Sequence, residues 1–396
     1  MTVSIKKGKA GGEIKAPPSK SFAHRQIICA ALSGGKSSVG NICDSDDISA
    51  TVDCARSLGA EITVEHDTAY IKPGGVVKNE LFCRQSGSTI RFFIPVCLAV
   101  GGEFMLHGDK RLLQRPFEAY KDLCASQGVI FEQTEEYIRV KGKLDLSDVT
   151  VSGAVSSQFI TGLMLAAPLS GKDSVIHIKP PFVSRPYVDI TAAVMADFGV
   201  TAVFEDEYTL KIKGGSYKPA DVIAEGDWSN GAFLYALNAL GGDVTVKGLN
   251  ENSRQGDRVI SKQLEALKNG CAEIDITDCP DNAPILTAVA AANNGCTLYG
   301  TSRLKIKESD RGAAMAEELS KFGVKVEVYD DKITVSHGLK KPKEKLFGHN
   351  DHRIVMSCAC LLTLTGGQID GAEAVNKSYP GFFEDISSLG IKITQG

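Results

Sequence analysis

Six times along the chain, a short polar lead runs into a segment of small and aliphatic residues that is almost free of charge. The apolar segments are Q-I-I-C-A-A-L from 26, R-F-F-I-P-V-C-L from 91, Q-F-I-T-G-L-M-L-A-A from 158, A-F-L-Y-A-L-N-A-L from 232, P-I-L-T-A-V-A-A-A from 284 and R-I-V-M-S-C-A-C-L-L from 353. Most are apolar nearly all round, which predicts buried helices instead of surface helices with one apolar stripe. A β-rich run follows each: S-S-V-G-N-I, E-F-M-L-H-G, S-V-I-H-I-K, D-V-T-V-K-G, C-T-L-Y-G and G-Q-I-D-G. A second, more charged helix comes next and usually closes on glycine before another strand. Examples are S-L-G-A-E-I-T-V at 57–64, D-F-G-V-T-A-V-F at 197–204, K-F-G-V-K-V-E-V at 321–328 and S-L-G-I-K-I-T at 388–394. Glycine is the residue that a left-handed helix end accepts without steric cost. The pattern predicts an α/β protein of six repeated units, three in each of two pseudo-symmetric domains, with hairpin strands filling the longer copies.

A chain of 396 residues exceeds one ordinary core, which agrees with two domains. The composition, 43% hydrophobic and 23% charged, is that of a globular protein, and no apolar run reaches the length of a membrane span. The start, M-T-V-S-I-K-K-G-K, is basic but lacks the apolar core of a secretory signal. Eleven cysteines are scattered without a C-x-x-C pair, which suggests neither a zinc site nor a disulfide framework and points to a reducing cytoplasm. A net charge of −4 argues against a general nucleic-acid surface but leaves room for a local basic pocket.

The six polar leads carry most of the chemistry. In order they offer Lys20, Ser21, His24 and Arg25; Ser86, Gly87, Ser88 and Arg91; Ser156, Ser157 and Gln158; Asp227 and Ser229; Asp281 and Asn282; and Asn350, Asp351, His352 and Arg353. Each stands at a helix start, where unpaired N–H groups and the helix dipole favour anions. The first lead, P-P-S-K-S-F-A-H-R, taken alone reads first as an ordinary helix start capped by Ser19 or Ser21 and second as an anion site. Further cations lie after strands: Arg115, Arg185, the run K-I-K-E-S-D-R at 305–311, and Lys377. Other constellations fail. G-G-K-S at 34–37 has Ala30 where a phosphate loop needs its first glycine, and it follows a helix. There is no G-x-G-x-x-G and no G-x-S-x-G, and H-N-D-H at 349–352 has no accompanying histidine or cysteine cluster, so no metal is expected.

Together these motifs resemble those of the 5-enolpyruvylshikimate-3-phosphate synthases (3-phosphoshikimate 1-carboxyvinyltransferases). The matching elements are P-S-K-S-x-x-x-R at 18–25, S-G-S-T-x-R at 86–91, Q-R-P at 114–116, S-S-Q-F at 156–159 and S-R-P-Y-x-D-I-T at 184–191. G-D-W-S at 226–229, P-D at 280–281, K-E-S-D-R at 307–311, N-D-H-R at 350–353 and V-x-K-S-Y-P at 375–380 complete the series in the family's order. The resemblance implies two similar domains, each of three βαβαββ units around buried helices (an inside-out α/β barrel), with the active site in the cleft between them. It also implies that a first strand at about 2–15 joins the C-terminal half. The domains would then be 1–17 with 226–396 and 18–225, with crossings near 16–20 and 223–227.

The implied reaction moves the enolpyruvyl group of phosphoenolpyruvate to the 5-hydroxyl of shikimate 3-phosphate by addition and elimination, within aromatic amino acid (chorismate) biosynthesis. Asp281, Glu308, Lys20 and Lys377 are the implied catalytic residues, Asp281 as base and Glu308 as proton donor. The implied shikimate 3-phosphate ligands are Lys20, Ser21, Arg25, Ser156, Ser157, Gln158, Ser184, Asp281 and Lys307. For phosphoenolpyruvate they are Lys20, Gly87, Arg115, Gln158, Arg311, Arg353 and Lys377. No metal or organic cofactor, no nucleic acid, no membrane and a monomer are implied. His24 is expected to be structural. The chain departs from the family pattern at Gln85, where asparagine is usual, which bears on sensitivity to glyphosate, and at Arg303, where some members use asparagine. A UDP-N-acetylglucosamine enolpyruvyl transferase would carry a reactive cysteine in the segment 107–116, which has none. A non-catalytic anion-binding relative would be expected to have lost Asp281, Glu308 or Lys377, and all are present.

Overall fold

The computed structural model describes residues 1–396. Contacts divide it into two compact units, Met1–Pro17 with Gly226–Gly396, and Pro18–Glu225. The chain passes between them at two points, and each passage is tied inside its own unit. Ser19 N–H donates to the Glu225 carbonyl at 2.7 Å, and Asp227 N–H donates to the Pro17 carbonyl at 2.8 Å.

Unit Pro18–Glu225 holds three four-stranded sheets of one plan. In two of them the strand before the buried helix lies parallel to the strand after it, in the third Asp221–Ile223 from the end of the unit takes that place beside Ser37–Gly40, and in all three an antiparallel hairpin completes the sheet. Glu80–Phe82 pairs parallel with Gly102–His107, which pairs antiparallel with Tyr137–Gly142, itself antiparallel to Ile130–Gln133. The pleat places Ile138 and Val140 on the inner face, both fully buried, while Arg139 and Lys141 reach the outer one. The buried helices Lys20–Ala31, Gly87–Val100 and Ser157–Ala166 fill the core. The latter two approach so closely that a methyl group on Gly162 would lie 2.3 Å from the Tyr120 hydroxyl and 2.4 Å from the Arg91 carbonyl.

The other unit repeats the plan around Trp228–Ala239, Ala283–Ala292 and His352–Thr365. Two of its sheets have four strands, and the third has only two, Gly11–Lys15 parallel to Asp243–Lys247. In that unit the second helix, Ile260–Asn269, passes through Gly270 and Cys271 directly into Ala272–Asp275, the leading strand of the next unit, so the hairpin is missing. The expected first strand is also two strands. Thr2–Ile5 sits between Gly367–Asp370 and Ile393–Gln395, whereas Gly11–Lys15 serves the two-stranded sheet. The polar K-K-G-K at 6–9 offers no alternating apolar face to carry one strand through.

The glycines after the second helices take left-handed backbone as expected: φ is +101° at Gly59, +78° at Gly199, +77° at Gly323 and +93° at Gly390. No helix is long and apolar enough to cross a membrane.

Candidate active site

Polar leads at the buried-helix starts supply Arg25, Arg91, Asp227, Asp351 and Arg353 to the buried charged groups. Four leads cap their helices directly. Ser86 accepts from Thr89 N–H, Ser156 from Gln158 N–H, Asp227 from Asn230 N–H and Asp351 from Arg353 N–H. Ser19 occupies the same position before Lys20, but its side chain does not cap the helix; its carbonyl accepts from Ala23 N–H at 3.0 Å.

Within Pro18–Glu225 the centre of the cluster is Arg25, only 2% exposed. Its guanidinium donates to Thr191 Oγ1 (2.7 Å), Thr161 Oγ1 (3.3 Å) and the carbonyls of Ser21 (2.6 Å) and Tyr187 (3.2 Å), and it lies 5.1 Å over the Phe92 ring. All these oxygens are neutral, so the charge is positioned but not cancelled. Burial lowers Arg25 to about 10, which leaves it protonated at neutral pH. One turn earlier, Lys20 pairs with Asp47 at 2.6 Å. His24 is fully buried with Nδ1 2.6 Å from Thr51 Oγ1. Burial, then Lys20 and Arg25, holds its imidazole well below the ordinary value, hence neutral. A buried, neutral imidazole is what the expected structural role requires.

Gln158 stands at the next helix start. Its Oε1 accepts from Arg91 Nη1 at 2.7 Å and its Nε2 donates to Ser88 Oγ at 3.0 Å, while Arg91 lies over Phe117 and Phe159. Both bonds fix which end of the amide faces which way. Gly87 adjoins the same guanidinium groups: a Cβ there would lie 2.7 Å from Arg115 Nη1 and 3.2 Å from Arg91 Nη1. Ser157 is buried at its helix start and Ser184, also buried, opens the helix Arg185–Asp197 with φ +56°.

In the other unit Arg311 organises the cluster. Its side chain, 2% exposed, bonds three carboxylates: Asp281 Oδ1 at 2.7 Å, Glu308 Oε2 at 2.7 Å and Asp351 Oδ2 at 2.9 Å. Arg353 adds Asp281 Oδ2 at 3.1 Å and Ser229 Oγ at 2.8 Å, and Lys307 Nζ lies 3.3 Å from Asp281 Oδ1. Burial alone would raise the Asp281 carboxyl, but Arg353, Lys307 and Arg311 together hold it well below the carboxylate range. Asp351, fully buried, is likewise pushed up by burial and drawn below its ordinary value by Arg311. Burial acts to lower Arg311, and Asp351, Glu308 and Asp281 outweigh it, so Arg311 is raised. Burial lowers Lys307, with Asp281 opposing. Lys377 donates to the Asn350 carbonyl, one residue before Asp351.

The structure therefore gathers Asp281, Lys307, Glu308, Arg311 and Arg353 into one bonded network in one unit, with Lys377 on the adjoining loop. It gathers Lys20, Ser21 and Arg25 on one helix in the other unit, and Gly87, Arg115 and Gln158 around Arg91. Arg303 donates to the Thr277 carbonyl. Two residues in the matched motifs were not nominated and prove central, Arg91 and Asp351. Their signal was their place in S-G-S-T-x-R and N-D-H-R, but nothing in the sequence shows what a buried charge bonds to.

The chain matches the family model for EPSP synthase (3-phosphoshikimate 1-carboxyvinyltransferase) over residues 5–386. It is 40% identical to a 3-phosphoshikimate 1-carboxyvinyltransferase of Clostridium kluyveri, over 99% of this chain and 98% of that one. A protein of the same name from Clostridioides difficile is 36% identical over 100% of this chain and 98% of its own length. The chain belongs to the EPSP synthase family. Its fold is also that of the EPSP synthase structure from Acinetobacter baumannii (TM-score 0.78, 22% identity, 100% of both chains) and of the enolpyruvyl transferase NikO from Streptomyces tendae (TM-score 0.76, 17% identity, 99% and 98% of the chains). Its two-unit α/β plan has five four-stranded sheets and one two-stranded sheet.

Proposed function

We propose that the chain is a transferase that joins the enolpyruvyl group of phosphoenolpyruvate to the 5-hydroxyl of shikimate 3-phosphate and releases phosphate, in aromatic amino acid biosynthesis. The observation that carries the residue assignment is the network in which Arg311 and Arg353 converge on Asp281 beside Glu308 and Lys307.

Addition forms a C–O bond between the 5-oxygen and C2 of phosphoenolpyruvate, so the hydroxyl proton must leave and C3 must gain one. Elimination removes a C3 proton and expels phosphate. We assign the hydroxyl proton to Asp281 and the C3 proton to Glu308. Ionised Asp281 is available to accept a proton, but with three cations around it the carboxylate is a weak base. An incoming phosphate or carboxylate that draws Arg311 and Arg353 toward itself would relieve this and raise the basicity of Asp281 when substrate is present. Arginine forks suit both anions bidentately.

Shikimate 3-phosphate is assigned to Lys20, Ser21, Arg25, Ser156, Ser157, Gln158, Ser184, Asp281 and Lys307, and phosphoenolpyruvate to Lys20, Gly87, Arg115, Gln158, Arg311, Arg353 and Lys377. The uncancelled Arg25 and the buried arginines beside Gly87 support an anion at each place. A monomer acting on small molecules in the cytoplasm, without nucleic acid, is the rest of this reading and rests on the family resemblance and the net charge of −4. Phosphate release from phosphoenolpyruvate that depends on shikimate 3-phosphate tests the reading. Turnover with UDP-N-acetylglucosamine in its place would refute it.

A further inference from the structure

The loop that carries His349, Asn350 and Asp351 and leads into the helix of Arg353 is gripped at two places by a single helix, Arg311–Lys321. At its start Arg311 bonds Asp351. Two turns later Glu318, which is fully buried, receives His349 Nε2 at 2.7 Å, Phe347 N–H at 2.9 Å and Lys321 Nζ at 2.9 Å on both oxygens. Burial would raise the Glu318 carboxyl, but His349, Lys321 and the Phe347 amide hold it below its ordinary value, so it stays an acceptor. Glu317, Glu318 and His349 each bring one possible ligand atom within 4.8 Å of the others. With Lys321 on both Glu318 oxygens, the cluster reads as a hydrogen-bonded anchor and not as a cation site.

The anchored segment needs holding. His349 and Asn350 are consecutive non-glycine residues in left-handed backbone, φ +50° and +51°. Such conformations persist where surrounding contacts over-determine them. This one aims the Asn350 carbonyl at Lys377 and the Asp351 carboxylate at Arg311. Gly348 is tied down as well, its N–H on the Asp370 carbonyl at 2.8 Å and its carbonyl on Asp351 N–H at 2.8 Å.

We infer that Glu318 and His349 are positioning residues for phosphoenolpyruvate: they keep the 348–351 loop, and with it Lys377 and Arg353, in place when substrate draws Arg311 away from Asp351. This rests on the proposed assignment of Arg311, Arg353 and Lys377 to that substrate. The Arg311–Asp351 bond cannot serve alone, because the proposed chemistry asks Arg311 to turn to an anion, whereas the Glu318–His349 bond touches no assigned ligand.

The test compares His349→Ala, His349→Gln and Glu318→Gln in the full chain. His349→Ala should lower kcat/KM for phosphoenolpyruvate by about 10- to 100-fold, the scale of a misplaced ligand set. Its Kd for shikimate 3-phosphate by calorimetry should stay within about 2-fold of wild type, since most of that ligand set lies in the other unit. His349→Gln, which restores an N–H donor, should recover most of the loss, and Glu318→Gln should show the same substrate-selective defect. Unchanged kcat/KM in His349→Ala overturns the inference. So does a loss that falls equally on both substrates and follows a drop in Tm. An inactive wild-type enzyme would instead overturn the functional reading on which it rests.

Discussion

Arg311 and Gly87 show how the protein handles charge at the level of single side chains. Arg311 is held by three carboxylates, and such buried groups are costly to leave half-paired. Asp351→Asn should therefore destabilise the protein by about 1–3 kcal/mol at neutral pH, read by urea unfolding. The sign with pH follows from the lowered carboxyl. A depressed carboxylate stabilises the fold above its unfolded value near 4 and loses that contribution as pH falls through its folded value. The gap between wild type and Asp351→Asn should hold from about pH 7 to 5 and close only below about pH 4. Asp281→Asn, at a carboxylate assigned to proton transfer, should lower kcat by about 100-fold or more while changing substrate affinity much less. At Gly87 a methyl would displace the far end of Arg115. Gly87→Ala should raise KM for phosphoenolpyruvate about 10-fold with Tm nearly unchanged, because a flexible side chain and not backbone must move.

Elements were legible where one rule dominated. Apolar runs without charge gave the six buried helices, and glycine after the second helix marked its end, as at Gly59, Gly199, Gly323 and Gly390. Legibility failed where long-range pairing decides. Thr2–Ile5 and Gly11–Lys15 look like one strand until their partners, residues 367–370 and 243–247, are known. The missing hairpin beside Ile260–Asn269 was hidden because a short copy of a repeat still has the same helices. Contact between helices is a third case: Gly162 reads as an ordinary small residue, yet Tyr120 and Arg91 press on it from the neighbouring elements. Gly162→Ala should lower Tm markedly, by an overpacking cost of about 1–3 kcal/mol or more. An unchanged Tm would show that the two helices separate easily.

Across the whole chain, the motif order predicted the family, and the match over residues 5–386 agrees. The individual residues of the site were nominated by motif. Their partners were not: the pairing of Arg91 with Gln158 and of Arg311 with Asp351 joins positions 67 and 40 apart, a relation that no local pattern encodes. The central claim is the proposed transfer of the enolpyruvyl group of phosphoenolpyruvate to shikimate 3-phosphate. Its most direct measurement is phosphate release by purified protein given phosphoenolpyruvate with and without shikimate 3-phosphate. The account predicts turnover only with both present, lowered about 100-fold or more by Asp281→Asn and strongly by Arg25→Ala. Release from phosphoenolpyruvate alone, or full activity in either variant, would contradict it.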